Sequence, residues 1–529
     1  MQRKRKLAGG AVATAMAAAA IALAGCGGSS GTSANTSGSH QSKGSGSSSA
    51  ATTGTLTLGT NTAPTSWAAA QATWGYTTPL FQAVYDTLLR ESPSGGISPE
   101  LATSWTYNHD QTVLTLQLRK DVKFTDGTAF NAKVAAANLI RFKTQGNALA
   151  SNLAVLSSAT AIGPYTLQLK LSERDPQFVQ VLCLNSGMEE SPAAFKSKTL
   201  NTIPVGSGPY IYDASASVPG SSYTFTKNPH YWDPSTQHYA KLIIKIYASN
   251  QAMMDALEGH QVNAAVTGFD GSYVSQMKSA GYGVQQFALG WEGLELFDRA
   301  GKMTPALGKL QVRQALNYAI NTKALLKSIQ YGYGSLSDEI FQPTSPAYLP
   351  SMNSYYSYNP AKAKALLAAA GYPHGFTLTM PTGAVFDTDL LTIVGQELSA
   401  IGIKVVYQPV TTEDALPDLI APKWSATVLD TANDGTPWDV AKFEVVPNAI
   451  WNPFHYSVPL INKLFQTLEV GTNAQADTAA KQMNEYLIKQ AWFAPWYEDV
   501  GFFAVDNSTS AVMQSDSYFP YLWNITPKA

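Results

Sequence analysis

The stretch with the most residues able to bind a charged or polar group is LDTANDGTPWD, at 429–439. It carries the carboxylates of Asp430 and Asp434, the amide of Asn433 and the indole of Trp438. A few placed polar groups beside an aromatic wall are the usual composition of a small-ligand site. Aspartates also form turns, because their side chains accept hydrogen bonds from nearby backbone N–H groups. Two roles therefore stay open for these acids, ligand contact and turn formation.

The histidines and glycines form no catalytic or metal-binding motif. The seven histidines are dispersed, no HExxH occurs, and His230 and His238 lack cysteine or acidic partners at the spacing of zinc ligands. The chain has no GxxxxGK phosphate loop, and the glycines around Ser207 do not form GxSxG. These absences disfavour zinc, phosphoryl-transfer and nucleophilic enzymes, including a secreted hydrolase. We expect a binding protein without catalytic activity, metal or cofactor.

The composition indicates a large folded chain. It has 529 residues, of which 45% are hydrophobic and 11% aromatic. Only 14% are charged and the formal net charge is −2, which argues against both a disordered chain and a nucleic-acid-binding protein. Length alone predicts two to four domains.

The N-terminus is typical of a secreted protein. Residues 1–25 combine a basic start with an apolar run, and LAGC at 23–26 resembles the bacterial lipoprotein processing box. We expect residues 1–25 to be a lipoprotein signal peptide, cleaved so that Cys26 carries the lipid; an uncleaved membrane anchor is the alternative. The Gly/Ser-rich residues 26–54 are expected to form a flexible tether. Cys183 then has no cysteine partner, and its apolar neighbours predict a buried side chain.

Residues 101–132 predict strand, turn, strand, turn and helix start. In TVLTLQLR the leucines alternate with polar residues, which indicates a strand with one buried face. Asp126-Gly127 is a turn signal, and Asn131 is a good helix N-cap. A second strand of the same type, TLQLKL, follows at 166–171.

Alternating helices and strands predict an α/β fold. KLIIKIY, a capped helix ended by Gly259 and a short strand follow one another between 242 and 266. A helical face is predicted over 312–325, and a helix with Asn359 at its N-cap and Pro360 at its first position begins later. FTLTM, a helix and IKVVYQPV then form a β-α-β unit at 376–410.

Several phrases in this order resemble one known family, the family 5 solute-binding proteins of ABC importers. The phrases are YDTLLR at 85–90, PELA at 99–102, residues 101–132, VGSGPY at 205–210, KNPHYWD at 227–233, DALEGHQVN at 255–263 and VRQALNYAIN at 312–321. Asn stands where the family has Asp at 263 and 321. The resemblance runs from about residue 55 to about 500. It implies a two-lobed periplasmic-binding-protein-like α/β fold (type II, cluster C) with an extra subdomain inserted in the first lobe.

The resemblance also implies bounds for the lobes. The first lobe is expected at 55–290 and 495–529, with the inserted subdomain at about 78–199. The second lobe is expected at 291–494. Two segments should cross between the lobes, near Ala288–Leu296 and near Pro495.

The family pattern places ligand contacts in the 429–439 loop. Peptide-binding members have an Asp four residues before the Pro of this loop, which holds the ligand's α-ammonium group; here that residue is Asn433, with Asp434 beside it. The family often has Trp seven residues before that Pro, and here it is Asp430. Whether a peptide amine is bound at this place is therefore open.

Other candidate contacts come from position in the chain. Asn61 and Trp67 follow the first strand, where open α/β sheets present ligands. The remaining candidates lie at the two crossings and complete the set; they are Trp291, Glu292, Trp496 and Tyr497. Taken singly, each Trp fits core packing as well as a ligand wall.

The resemblance implies a monomeric lipid-anchored receptor on the extracytoplasmic face of the cell membrane. It would close its lobes on a small ligand, in the first place a peptide, and deliver it to ABC permease subunits. The alternatives are a sensor or chaperone-like binding lipoprotein on the same fold, or a receptor for saccharides or another solute. No nucleic-acid partner is expected.

Overall fold

The computed structural model describes residues 54–432, 436–514 and 517–528. The predicted signal peptide, Cys26 and nearly all of the tether lie outside these residues. The strands are β1 Thr55–Thr60, β2 Leu89–Glu91, β3 Ile97–Pro99, β4 Ala102–Tyr107, β5 Val113–Leu118, β6 Leu156–Gly163, β7 Thr166–Leu171, β8 Tyr210–Val218, β9 Ser222–Lys227, β10 Lys241–Ile246, β11 Ala264–Val266, β12 Gly283–Glu295, β13 Thr377–Thr382, β14 Lys404–Pro409, β15 Thr427–Ala432, β16 Phe493–Val505, β17 Thr509–Ala511 and β18 Ile525–Pro527. The α-helices are α1 Thr78–Val84, α2 Ala132–Gln145, α3 Phe178–Val181, α4 Asn250–Glu258, α5 Val274–Ser279, α6 Leu310–Ala319, α7 Thr322–Ile329, α8 Pro360–Ala369, α9 Thr388–Ala400, α10 Thr412–Leu419, α11 Pro437–Val440, α12 Pro459–Val470 and α13 Asn473–Lys489.

An eight-stranded mixed sheet runs through the molecule in the order β15-β12-β16-β11-β1-β10-β9-β8. β1 is parallel to β10 and β11, whereas β12, β15 and β16 pair in antiparallel fashion. β13 and β14 pair in parallel and are joined by α9, as the β-α-β pattern predicted. The predicted α/β class is confirmed.

β12 and β16 are both 13 residues long and connect two hydrophobic cores. Phe287 and Phe503 pack with Leu58 in one core. Leu294, at the other end of β12, packs in a second core with Ala494 and the residues of α6 and α9. Both predicted crossings fall on these strands. The exact lobe bounds stay predictions.

The segment at 102–171 forms a separate four-stranded sheet, β4-β5-β7-β6, covered by α2. The alternating leucines of β5 and β7 are buried in its own core, as predicted, because period-2 alternation places them on one face. Gly127 has φ of 85° in the predicted turn. The side chain of Asn131 accepts from the backbone N–H groups of Lys133 and Val134, which confirms the N-cap. Cys183 is buried in this core, as predicted.

The side chain of Asp86, in YDTLLR, connects three of the family phrases through one buried hydrogen-bond network. Its carboxylate accepts from Ser207 Oγ at 2.8 Å, Tyr231 OH at 2.7 Å and Trp232 Nε1 at 3.0 Å. These donors belong to VGSGPY and KNPHYWD, so distant phrases meet at one side chain. Tyr231 and Trp232 of KNPHYWD therefore stabilise the fold at this point.

The continuous helical face predicted over 312–325 is wrong. α6 ends at Ala319, Ile320 has an extended backbone, and α7 begins at Thr322. Asn321 is the N-cap of α7, since its side chain accepts from the backbone N–H of Ala324. Its own N–H donates to Glu397, which fixes the break between the helices.

Replacing Asn131 with Ala is expected to lower the free energy of unfolding by about 1 kcal/mol. Two backbone N–H groups at the start of α2 would lose their acceptor. Urea unfolding monitored by circular dichroism measures the difference. Asn473→Ala is the matched control, since Asn473 is exposed at the start of α13, and it should change stability by less than about 0.5 kcal/mol. Equal losses in the two variants would contradict the capping role.

Candidate functional site

Where β15, β12 and β16 lie side by side, four polar side chains share one face of the sheet. Glu292 is the Cα partner of both Asp430 and Tyr497, and Gly290 is the partner of Asp499. Side chains of directly paired residues project to the same face, and so do residues two apart on one strand. We call Glu292, Asp430, Tyr497 and Asp499 the acidic face.

Hydrogen bonds connect the members of the acidic face. Tyr497 OH donates to Glu292 Oε2 at 2.6 Å. The carboxyl of Asp499 is hydrogen-bonded to that of Asp430, although their strands are separated by β12. Gly290, the β12 partner of Asp499, has no side chain on this face that could block the approach. Gln330 Nε2 donates to Asp499 Oδ1 at 2.9 Å.

The surroundings raise the pKa of all three carboxyl groups. Desolvation raises the pKa of Glu292 to about 7, although its bond from Tyr497 opposes the shift. Desolvation also raises the pKa of Asp430, and it raises that of Asp499 well above the usual range with help from the charges of Asp430 and Glu292. Asp387, the N-cap of α9, adds a further negative charge near Glu292. At neutral pH the acidic face therefore retains protons.

No cation of the described chain neutralises the acidic face. Arg90 pairs with Glu100 at 2.9 Å and Arg141 pairs with Glu190, but none of the ion pairs within residues 54–432, 436–514 and 517–528 includes a carboxylate of the acidic face. Within the same residues, Asp86 and Glu189 are likewise buried without an ion pair, and they accept hydrogen bonds from neutral donors instead.

The acidic face and its immediate surroundings, which we call the recess, are partly open to solvent. The side chain of Asp430 is exposed, Glu292 is half-buried and Asp499 is 7% exposed. Asp430 reaches solvent and yet is strongly desolvated. A carboxyl group is both exposed and desolvated when water reaches it from one direction and protein encloses its other sides.

Aromatic side chains lie next to the acidic face. Burial raises the pKa of Tyr76, and the charge of the Asp499 carboxylate nearby adds to the shift; Asn61 is hydrogen-bonded to the Tyr76 side chain. Tyr76 packs against Tyr518, with ring centroids 4.6 Å apart. Phe287 in turn packs against Tyr518, at 5.9 Å. The recess thus joins acids from β12, β15 and β16 to rings from the neighbourhood of β1.

The structure brings some of the predicted residues together and separates others. Asn61, Glu292, Asp430 and Tyr497 lie at the recess. The four predicted tryptophans are buried away from the acidic face: Trp67 among Phe81, Tyr212 and Tyr223, Trp291 against Phe493, Trp438 stacked on Phe465, and Trp496 in the second core. Asn433 and Asp434 lie outside the described residues. The role of each as a ligand contact stays a prediction.

The position of Trp496 has a local cause. The register between β12 and β16 shifts after Glu292, since Glu292 pairs with Tyr497 and Gly293 pairs with Pro495. Trp496 is thus the extra residue of a β-bulge. The Trp496 indole lies in the second core, and Tyr497, which belongs to the same core, directs its OH group to Glu292 on the acidic face.

Asp439 acts as a turn residue. It forms a capping box with Thr436 at the start of α11, in which Thr436 Oγ1 accepts from the Asp439 N–H and Asp439 Oδ2 accepts from the Thr436 N–H. Turn formation therefore accounts for one acid of the 429–439 loop.

Sequence reasoning did not find Asp499, Gln330 and Tyr76. A signal existed for Asp499, which lies two residues after Tyr497 in a strand and so shares its face. Gln330 and Tyr76 are distant from the other members in sequence, and only the folding of the chain brings them to the acidic face.

The described residues were compared with two further features, a membrane-spanning helix and a metal site. They contain no helix long and apolar enough to span a membrane. They also contain no group of three or more His, Cys, Asp or Glu side chains arranged to hold a metal ion.

Residues 96–448 match the family described as "Bacterial extracellular solute-binding proteins, family 5 Middle". The chain belongs to family 5 of the bacterial extracellular solute-binding proteins. This family 5 protein is 30% identical over 328 residues to the glutathione-binding protein GsiB of Escherichia coli (strain K12), a match that covers 60% of this chain and 61% of GsiB. The chain thus spans less than two thirds of that relative's length.

Solved structures share the fold of this family 5 protein. HbpA2 from Haemophilus parasuis superposes with a TM-score of 0.80 at 21% identity, covering 90% of this chain and 100% of HbpA2. DppA from Helicobacter pylori, in complex with peptide STSA, gives 0.70 at 21% identity and covers 90% and 98%. The predicted two-lobed α/β fold is confirmed.

Proposed function

We propose that this protein is the solute-binding component of an ABC importer. It is held by a lipid on Cys26 at the extracytoplasmic face, captures a small ligand between its lobes, closes on it and delivers it to the permease. The observation that carries the proposal is the recess over the acidic face, on strands that connect two cores. Strands shared by two lobes are where a ligand can contact both at once.

The relatives favour a peptide as the ligand. GsiB is named as a glutathione-binding protein, and the DppA structure holds a four-residue peptide. A peptide offers donors and acceptors along its backbone and an ammonium group at one end. The recess supplies carboxylates for the latter and aromatic rings for side chains.

A contact between distant segments supports lobe closure. Arg174, after β7, donates from Nε to the carbonyl oxygen of Glu469 at 2.7 Å. Glu469 lies in the last turn of α12, where a cation is favoured by the helix dipole. Nearby, burial raises the pKa of Asp175, and the charges of Lys442 and Asp439 also act on it, Lys442 lowering it and Asp439 raising it. The segment after β7 and the end of α12 therefore touch in this conformation, which supports closure between the predicted inserted subdomain and the predicted second lobe.

Arg174→Ala is expected to raise the dissociation constant for the ligand about two- to fivefold, because a contact specific to the closed state is lost while the acidic face is untouched. Isothermal titration calorimetry measures this change. Lys120→Ala removes an exposed cation of the same subdomain and should leave the constant unchanged. An unchanged constant in Arg174→Ala would show that the contact with Glu469 does not contribute to closure.

The proposal is tested by screening peptides, including glutathione, together with oligosaccharides and metal chelates. Trp291 and Trp496 lie on β12 and β16, so closure should change tryptophan fluorescence as well as the melting temperature. We expect a saturable response to peptides. No response to any class would contradict the proposed function, and a response to oligosaccharides alone would replace the ligand class.

A further inference from the structure

A cavity of about 190 Å³ lies beside the second core. It is bounded by the start of α7, by the segments 336–338 and 353–358, and by Trp496. None of the four residues of the acidic face lines it. At about 30 Å³ for each water molecule, this volume holds a small ion with some water rather than a peptide. The cavity is therefore a separate place where a second, smaller ligand can bind.

Trp496 provides a hydrogen-bond donor among the residues that line this cavity. Its side chain is 1% exposed, and its Nε1–H has no acceptor within the described residues. An indole nitrogen can only donate, so its partner must be an acceptor. Trp424 and other buried tryptophans share this lack, so the indole alone does not define a site. What distinguishes Trp496 is the positive charge at the same cavity.

The start of α7 provides that positive charge. The first turn of this eight-residue helix contains no acid, and the exposed Lys323 lies in it. The helix dipole disfavours a cation at this end and stabilises an anion. Glu397 accepts from the N–H of Asn321, just before the helix, but does not line the cavity.

Lys323 is also without partners for its two kinds of N–H donor. The backbone N–H of Ala324 donates to the Asn321 side chain. In the part of the chain that the structure describes, the backbone N–H of Lys323 has no acceptor, and its ammonium group forms no ion pair. Together with the indole of Trp496, these groups offer several donors and a positive charge at one cavity.

Asp338 also lines the cavity, and its carboxyl group does not make this a cation site. Its Oδ2 already accepts from the backbone N–H of Tyr356 at 2.9 Å. Burial raises the pKa of Asp338 to about 7, so near neutral pH a large share of this group is protonated and uncharged. A protonated carboxyl can donate a hydrogen bond, as the indole does.

We propose that this cavity binds a small oxyanion, a carboxylate or a phosphate, as a second ligand site separate from the recess. The anion would accept hydrogen bonds from Trp496 Nε1 and from the backbone N–H of Lys323, next to the ammonium group and the dipole of α7. Trp496 is the bulge residue beside Tyr497, whose OH donates to Glu292. A bound anion would thus stabilise β16 directly beside the acidic face.

The site is tested with sodium acetate and with sodium phosphate at pH 7, against sodium chloride at the same ionic strength. We expect a saturable rise in melting temperature beyond that in chloride. A rise with acetate alone identifies a carboxylate site, a rise with phosphate alone identifies a phosphate site, and a rise with both identifies a general oxyanion site. Phosphate also stabilises proteins by exclusion from their surface, but that effect does not saturate.

Variants connect the rise to this cavity. Lys323→Gln and Trp496→Phe should each require about tenfold more anion for the same rise, because each loses a donor to a charged group. Lys327→Gln is the control for the first, since Lys327 is exposed one turn later on α7 and does not line the cavity. Trp424→Phe is the control for the second, since Trp424 is also buried without an acceptor for its indole. Asp338→Asn removes a negative charge and should leave the rise unchanged or enlarge it.

The outcomes that would overturn the proposal are distinct. No saturable rise with either anion would overturn the oxyanion site itself. A saturable rise that is equal in wild type, Lys323→Gln and Trp496→Phe would overturn its assignment to this cavity. Circular dichroism verifies folding, and if Trp496→Phe does not fold, the comparison of Lys323→Gln with Lys327→Gln decides alone.

Discussion

Replacing Asp86 with Ala is expected to lower the free energy of unfolding by about 3–5 kcal/mol, the largest effect of any single substitution considered for this chain. Asp86 is 2% exposed and accepts from Ser207, Tyr231 and Trp232. Truncation leaves three donors buried or half-buried without an acceptor, at about 1–3 kcal/mol each before relaxation. Water entering the vacated space would recover part of this loss.

Urea unfolding followed by circular dichroism, with melting temperature as a second measure, tests the role of Asp86. Asp110→Ala is the control, since Asp110 is exposed in the turn between β4 and β5 of the same subdomain. It should change stability by less than about 0.5 kcal/mol. Asp86→Asn should be intermediate, because the amide keeps one accepting oxygen but faces the donors with its NH₂ group. If Asp86→Ala lowers the free energy of unfolding by less than about 1 kcal/mol, the hydrogen-bond network around Asp86 does not stabilise the fold.

Local structure could be predicted from the sequence where the residues that determine it lie within one short segment. The alternating leucines of β5, the N-cap Asn131 and the cap Asn359 act within a few residues, and each has the predicted role. The break at Asn321 had a local cause as well. Its side chain caps α7. An Asn within an apolar helical pattern is a capping signal, but the apolar residues on both sides of Asn321 favoured one continuous helix.

The candidate site was predictable only in part, because its contacts join residues far apart in the chain. Glu292 and Asp430 could be chosen from their position near a crossing and in a polar loop. Their pairing is set by the register of β12 and β15, which no short pattern specifies. Gln330 meets Asp499 across 169 residues. The burial of Trp496 depends on a β-bulge. A bulge shifts the alternation of side chains along a strand, so the sequence pattern does not predict which face Trp496 occupies.

The unliganded protein is expected to lose stability as pH rises from about 5 to 8, and Glu292→Gln is expected to reduce this loss. The folded-state pKa of Glu292 is raised from 4.5 to about 7. Its contribution to stability is therefore fully present below about pH 4.5 and is lost as pH rises through about 7. The raised pKa values of Asp430 and Asp499 act in the same direction.

The size of the effect follows from the raised pKa of Glu292. A tenfold change in a protonation equilibrium corresponds to about 1.4 kcal/mol, and partial solvent access of Glu292 reduces its whole contribution to on the order of 2 kcal/mol. Other buried acids, including Glu295 and Asp338, also have raised pKa values, so the wild-type slope alone is not specific. The informative quantity is the difference between wild type and Glu292→Gln, which should grow in favour of the variant from pH 5 to pH 8. Melting temperatures at five pH values measure it.

The same protons determine how the affinity for a peptide with a free ammonium group depends on pH. A cation favours the ionised carboxylates, so binding below about pH 7 must release protons and becomes weaker as pH falls. From pH 7.5 to pH 5.5 the dissociation constant should rise about tenfold or more, and calorimetry in two buffers of different ionisation enthalpy should detect the proton release. Tyr497, Asp387 and Tyr76 also face these groups, but the tyrosines have raised pKa values and do not ionise in this range. If Glu292→Gln is more stable at pH 8 and releases fewer protons on binding than the wild type, the same carboxyl group contributes to both the instability and the recognition. If Glu292→Gln lowers stability at pH 8, the acidic face is part of the structural frame instead.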